Sequence, residues 1–268
     1  MFQKNVLLKN YTTFKIGGPA RYFFEAKNKA EIIKAIKEAQ RLKIPIFILG
    51  GGSKILFKDS GFPGLVLRII SESLGKLVVD SLKNGLTGLE WAVGIPGTLA
   101  GAVHNNSGAF GHSISESIKS VETININNLK IKKYSNKQCQ FVYRESIFKN
   151  NNEVILKVEL KKLKKGQRQK SLAMMKEYLA RRRERIPILP SAGSIFKNPK
   201  PLAAGELIEK CGLKGKAIGG AKISEEHANI FVNFNQAHAK DVVALINLVK
   251  KQVQKKFGIN LEEEIIRV

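Results

Sequence analysis

The sequence predicts a chain of mixed helix and strand, α/β or α+β in its first part, folded as more than one domain. Three observations lead there. The chain has 268 residues, whereas a single hydrophobic core seldom grows past about 250. Near the start, helix-like and strand-like periodicities follow one another closely. Toward the end, two well-capped helical patterns precede a short terminal strand.

Residues 29–43, KAEIIKAIKEAQRLK, place Ile32, Ile33, Ile36, Ala39 and Leu42 on one face with charges opposite, the pattern of an amphipathic helix. Pro45 follows, and the apolar run 44–49 ends in three glycines, as a strand feeding a tight turn would. Between 85 and 111, glycine fills seven of 27 positions while the segment stays apolar, with Trp91 and Phe110. That composition describes an ordered loop, since a flexible linker would be rich in serine and charge. Val121 to Ile126, the turn Asn127-Asn128 and then Leu129 to Ile131 read as a hairpin, and 154–160 as another strand. A basic helix over 169–184 ends at Pro187 and Pro190, which mark a boundary between lobes. Beyond it, 204–210 makes a short helix closed by Gly212. A longer helix over 239–257 turns Val242, Val243, Leu245, Ile246, Val249 and Val253 inward, and 258–268 forms a turn and a final strand.

Composition narrows the function classes. Hydrophobic residues at 43% and charged ones at 25% are ordinary globular proportions, against disorder and against a fibrous chain. No stretch approaches a membrane span, and the opening MFQKNVLLKNYTTF lacks the apolar core of a secretory signal, so a cytoplasmic protein without membrane partners is expected. Cys139 and Cys211 lie far apart with no CxxC, which argues against a disulfide framework and against structural zinc; no metal is expected. The net charge of +24 invites a nucleic-acid reading. Lysine outnumbers arginine 36 to 10, however, and nineteen asparagines accompany it. The excess is therefore diffuse, and no nucleic-acid partner is expected. The densest stretch, 153–185, has twelve Lys or Arg against four Glu, either a solvated helix face or a landing area for a polyanionic small molecule.

Four segments offer chemistry. GGGSK at 50–54 follows a predicted strand, and consecutive glycines let backbone N–H groups converge on a phosphate; a plain tight turn is the other reading. GIPGTLAGAVHNNSGAFG at 94–111 would admit a flat or polyphosphate ligand beside the amides of Asn105 and Asn106 and the hydroxyls of Thr98 and Ser107, or else form a tightly packed structural loop. YRESIFK at 143–149 reads as a strand, with Tyr143, Glu145 and Ile147 on one face and Arg144, Ser146 and Phe148 on the other. SAGSIFKNP at 191–199 is a small-residue turn presenting Ser194 ahead of Lys197 and Asn198, with no hydrolase elbow or triad nearby.

These segments, together with TTFKIGGPAR at 12–21, GLTGLEWAVGIPGT, AGELIEKCGLKG, SEEHANIFVN and the closing LEEEI, resemble the UDP-N-acetylenolpyruvoylglucosamine reductase family in order and wording over almost the whole chain. The resemblance implies an α+β protein. A two-lobed FAD-binding domain of the vanillyl-alcohol-oxidase or PCMH type would span 1–167, in lobes 1–70 and 71–167. A smaller α+β substrate-binding domain would span 168–257, and a terminal strand, 258–268, would return toward the flavin site. It implies FAD and NADPH as cofactors, a monomer, and reduction of UDP-N-acetylglucosamine enolpyruvate to UDP-N-acetylmuramate in peptidoglycan precursor synthesis.

The catalytic positions it implies are Arg144, Ser194 and Glu264. Cofactor contacts would fall on Gly50, Gly51, Gly52, Ser53, Gly94, Ile95, Pro96, Gly97, Thr98, Gly101, Ala102, Asn106, Gly108, Ala109 and Gly111, and substrate contacts on Tyr143, Lys197 and Asn198. The chain departs from the family at three places. Lys54 stands where Asn is usual, and is expected to pair with phosphate. Ala100 stands where a second Gly is usual. Residues 71–76 bridge directly where a hairpin and a further strand are usual, so the second flavin lobe is shortened. The chain also lacks room for a Tyr-bearing lid and so resembles the shorter class. Two alternatives remain at this level: a UDP-sugar-binding relative with weakened FAD binding, and a lysine-rich nucleic-acid-binding protein.

Overall fold

The computed structural model describes all residues from 1 to 268, and the chain divides into two compact units. The first comprises Met1–Phe23, Gly52–Val66 and Arg183–Val268; the second comprises Phe24–Gly51 and Leu67–Arg182. A four-stranded sheet is ordered Gln3–Leu7, Pro19–Ala26, Phe62–Ile69, Ile46–Leu49. No helix is long and apolar enough to cross a membrane.

The first unit is built on an antiparallel sheet ordered Ser191–Ser194, Ile230–Asn233, Ala221–Ile223, Ala217–Ile218. Its core gathers Phe14, Ile16, Leu56, Ile195, Phe196, Phe231, Leu245 and Val249, and each such side chain contributes about 1.5–3 kcal/mol when fully buried. The C-terminal strand Ile266–Arg267 pairs in parallel with Ile55–Leu56, next in sequence to GGGSK.

In the second unit, α1 (Lys29–Arg41) starts at Asn28, whose side chain accepts the Glu31 N–H at 3.0 Å. Its buried face is Ile32, Ala35, Ile36 and Ala39; Leu42, expected on that face, follows the helix and is exposed. The chain leaves the strand Phe62–Ile69 and enters α2 (Leu74–Lys83) after only a few residues, with Ser73 as N-cap. The 85–111 segment is more regular than its glycines suggest, since it contains α3 (Leu99–His104), capped by the Thr98 side chain. The expected hairpin is present, Ile118–Asn125 pairing with Ile131–Ser135, and Glu153–Leu160 completes a three-stranded sheet. This sheet and the helices share a core of Trp91, Val103, Ile114, Val121 and Phe148. Next comes α4 (Arg168–Arg185), which buries Ser171 and Met175 and packs Tyr178 and Leu179 against this core.

Two further helices belong to the first unit. The first, α5 (Ala204–Lys210), ends as expected just before Gly212, which takes the left-handed conformation at φ 68°. The second, α6 (Ala239–Phe257), buries Val242, Leu245, Ile246, Val249 and Val253, with Val243 half-buried.

Candidate active site

In the second unit the two glycine-rich segments meet backbone to backbone. A Cβ at Gly51 would stand 2.6 Å from the Gly97 Cα, and one at Gly50 would stand 3.1 Å from the Thr98 hydroxyl. Only glycine permits that approach. The short link into α2 braces the same place: the Leu74 N–H donates to the Gly97 carbonyl at 3.1 Å, and the Leu99 N–H to the Glu72 carbonyl at 2.9 Å. The short link thus braces the 94–111 segment from behind. Gly94, Pro96, Gly101 and Gly111 are exposed, Ile95, Gly97, Gly108 and Ala109 half-buried, and Ala102 buried.

Beside this loop lies a cation with little protein around it to answer its charge. Arg182 passes its stem against the place a Gly94 side chain would fill, and stacks its guanidinium 5.2 Å over the Phe110 ring. Its Nε and Nη2 are buried with no hydrogen-bond partner, and burial lowers its pKa. Orphaned N–H groups of this kind beside a glycine cradle suit a polyanionic, aromatic group such as a dinucleotide. The residues present fit FAD on this observation.

YRESIFK is not a strand. Val142 and Glu145 bridge across a two-residue turn, Tyr143-Arg144, and Ile147–Lys149 forms a 3-10 turn. The strand reading fails because the chain turns back after one pair. Arg144 sits second in the turn with φ 57°, a conformation costly for a side-chain-bearing residue. Neighbours fix it there. The Arg144 Nη2 donates to the Gly108 carbonyl at 2.8 Å, the guanidinium lies 5.2 Å over the Tyr143 ring, and Lys149 Nζ donates to the Arg144 carbonyl at 2.7 Å. Asn106 donates to the Val142 carbonyl at 2.7 Å and Ser146 to the His104 carbonyl at 2.7 Å. The second and third sequence motifs are therefore one structure, with Arg144 lashed to the 94–111 segment. Burial, with Lys149's charge adding to it, pushes the His104 imidazole down to about 4.

In the first unit, Ser194 ends its strand directly after Gly193 (φ 64°), and the 262–265 segment runs alongside it. The Glu264 N–H donates to the Ile195 carbonyl at 2.7 Å, Phe196 bridges Glu263, and the Lys197 N–H donates to the Glu262 carbonyl at 2.9 Å. Glu264 is only 5% exposed, and its Oε1 lies 3.0 Å from Lys54 Nζ. Lys54 spans Glu264 and the Ser194 carbonyl, the latter at 2.8 Å. Gly52 and Ser53 lead into it by a turn in which a Gly52 Cβ would strike the Tyr11 carbonyl. Lys197 is paired with Glu262, and the Asn198 side chain accepts the Ala204 N–H at 3.0 Å, fixing the start of α5. The sequence singles out Lys54 only as a phosphate partner, and no local pattern ties it to Ser194 and Glu264 or marks Lys149 as part of the site.

Comparison with known proteins follows the same lines. Residues 184–268 match the family described as UDP-N-acetylenolpyruvoylglucosamine reductase, C-terminal domain. A UDP-N-acetylenolpyruvoylglucosamine reductase of Clostridium novyi is 39% identical, covering 98% of this chain and 91% of that one. A protein of the same name from Prochlorococcus marinus is 38% identical, with 98% and 96% covered. The crystal structure of the UDP-N-acetylenolpyruvylglucosamine reductase (MurB) from Thermus caldophilus superposes with a TM-score of 0.86 at 33% identity, over 100% of this chain and 99% of that one.

Proposed function

This chain belongs to the UDP-N-acetylenolpyruvoylglucosamine reductase family, and from that premise we propose that it reduces UDP-N-acetylglucosamine enolpyruvate to UDP-N-acetylmuramate with FAD and NADPH. It is an oxidoreductase of peptidoglycan precursor synthesis, α+β in fold, and in this reading a cytoplasmic monomer. Residues 1–167 would carry the flavin and 168–257 the sugar nucleotide, with 258–268 returning to the flavin side. The observation that carries the reading is the cluster of Ser194 and Glu264 about Lys54, two of the three expected catalytic residues held side by side.

FAD, reduced by NADPH, would supply the hydride. Its holders would be the 50–53 turn and the 94–111 segment, from Gly94, Ile95, Pro96, Gly97 and Thr98 through Gly101, Ala102 and Asn106 to Gly108, Ala109 and Gly111, with Arg182 as an added counter-charge. The reaction saturates an enol ether: a hydride adds to its terminal carbon and a proton to the neighbouring carbon. Negative charge builds toward the substrate carboxylate as the hydride arrives. Arg144, held by its turn, opposes that charge with a preorganised cation. Ser194 gives the proton from its hydroxyl, a weak acid that suffices because the carbanion-like centre is a strong base. Glu264 orients the reacting group from beside Ser194. Tyr143, Lys197 and Asn198 lie near these positions in sequence and would contact the sugar nucleotide.

An absorbance spectrum of the purified protein is the test. A flavin band that bleaches anaerobically with NADPH and returns on adding the enolpyruvyl substrate supports the reading. No band after reconstitution with excess FAD would refute it in favour of a UDP-sugar-binding relative.

A further inference from the structure

We infer that Lys54 is a positioning residue for the reduction of the enolpyruvyl group, a clamp joining Ser194 and Glu264 in one geometry. The inference deepens the proposed function and rests on those two residues carrying the chemistry.

The geometry is specific to this side chain. Lys54 Nζ reaches the Glu264 carboxylate at 3.0 Å and the Ser194 carbonyl at 2.8 Å. Its own backbone carbonyl accepts the Ile266 N–H at 2.8 Å, so the residue grips the C-terminal segment with both ends. The carboxylate it meets is nearly sealed from solvent, and a buried carboxylate is costly without a paired cation. Lys54 itself is partly buried, at 26% side-chain exposure. Gly193 lies against the ammonium, a Cβ there standing in ordinary contact with it at 3.5 Å. A serine delivering a proton must be placed to within a fraction of an ångström, and misplacement of about 1 Å costs on the order of 100-fold.

The experiment follows the two half-reactions separately in stopped flow with FAD-loaded wild type, Lys54→Met, Lys54→Arg and Lys54→Met combined with Glu264→Gln. Flavin content is measured first. Lys54→Met should bleach with NADPH within about twofold of the wild-type rate, yet recover its flavin band about 100-fold more slowly with the enolpyruvyl substrate. Lys54→Arg should restore most of that loss, and in the Glu264→Gln background Lys54→Met should add less than about threefold. Equal slowing of both half-reactions, full additivity with Glu264→Gln, or loss of flavin from both Lys54 variants would each overturn the clamp. So would wild-type recovery in Lys54→Met. Failure of the underlying reading looks different: the wild type itself would hold no flavin, or Ser194→Ala would recover its flavin band as fast as wild type.

Discussion

Both units hold a candidate catalytic residue with the same device. In each, a lysine ammonium donates to that residue's own carbonyl and faces a glutamate: Lys54 with Ser194 and Glu264, Lys149 with Arg144 and Glu145. The differences are instructive. In the first unit the glutamate is buried and is itself a reaction candidate, its oxygen 3.0 Å from the ammonium. In the second it is partly exposed and stands 3.5 Å away, so the carbonyl is the stronger tie. Backbone strain is also distributed differently. The left-handed residue in the first unit is Gly193, beside the serine; in the second it is Arg144 itself. One unit spends a glycine to present its residue, while the other bends the residue and ties it down.

The largest effects should come from the presented side chains. Ser194→Ala and Arg144→Met should each slow recovery of the flavin band by about 10³-fold or more while leaving bleaching by NADPH within a few-fold. Single-turnover absorbance separates the two. If Arg144→Met slowed bleaching as strongly, the second unit would serve NADPH rather than the enolpyruvyl group, and the parallel would break.

Acid should test the second unit next. His104 is largely buried and its imidazole sits at about 4, burial first and the Lys149 charge second, whereas in an unfolded chain it titrates near 6.5. The unfolded state therefore binds the extra proton first, and this group's contribution to stability is whole above pH 6.5 and lost as pH falls toward 4. The loss amounts to about 3 kcal/mol. Urea unfolding of wild type and His104→Gln at several pH values should show a shallower slope in the variant between those limits. An unchanged slope would mean His104 is protonated in the fold despite its neighbours.

Lys149→Met should cost less than Lys54→Met, about 10- to 30-fold in recovery of the flavin band, because the glutamate it faces has no part in the reaction. It should also raise the folded pKa of His104 by removing a repelling charge, visible as a ring-proton titration by NMR. An effect as large as that of Lys54→Met would make Glu145 a participant and erase the contrast.

The contrast was only partly legible in the sequence. Helices α1, α4, α5 and α6 announced themselves through amphipathic spacing or through stop signals such as Pro187 and Gly212. The helix α3 did not, because six residues with a glycine inside carry too short a period and their cap, Thr98, lies among other small residues. YRESIFK read as a strand, and nothing in the pattern shows that Arg144 takes a left-handed turn. The candidate residues Arg144, Ser194 and Glu264 came from the wording of the motifs and not from any physical signal. Lys149 looked like one more of 36 lysines, and Lys54 stood out only as a phosphate partner; the meaning of both lies in which carbonyl and carboxylate the fold brings to them.

The smallest effects concern strain, and they come as a pair of opposite sign. Gly193 has φ 64°, but a Cβ there would meet only the far end of Lys54 at 3.5 Å, so Gly193→Ala pays for the left-handed backbone alone. Its cost should be about 1 kcal/mol in chemical denaturation. Arg144 already bears that conformation, at φ 57°. Replacing it removes the same ties whether the new residue is alanine or glycine, yet Arg144→Gly should be about 1 kcal/mol more stable than Arg144→Ala, because only glycine takes that backbone freely. Equal stability for the two would mean that the turn relaxes once the guanidinium is gone. The guanidinium's ties to the Gly108 carbonyl and the Tyr143 ring would then be what holds Arg144 in a conformation it does not keep by itself, and the turn would be a consequence of those ties rather than a platform for them.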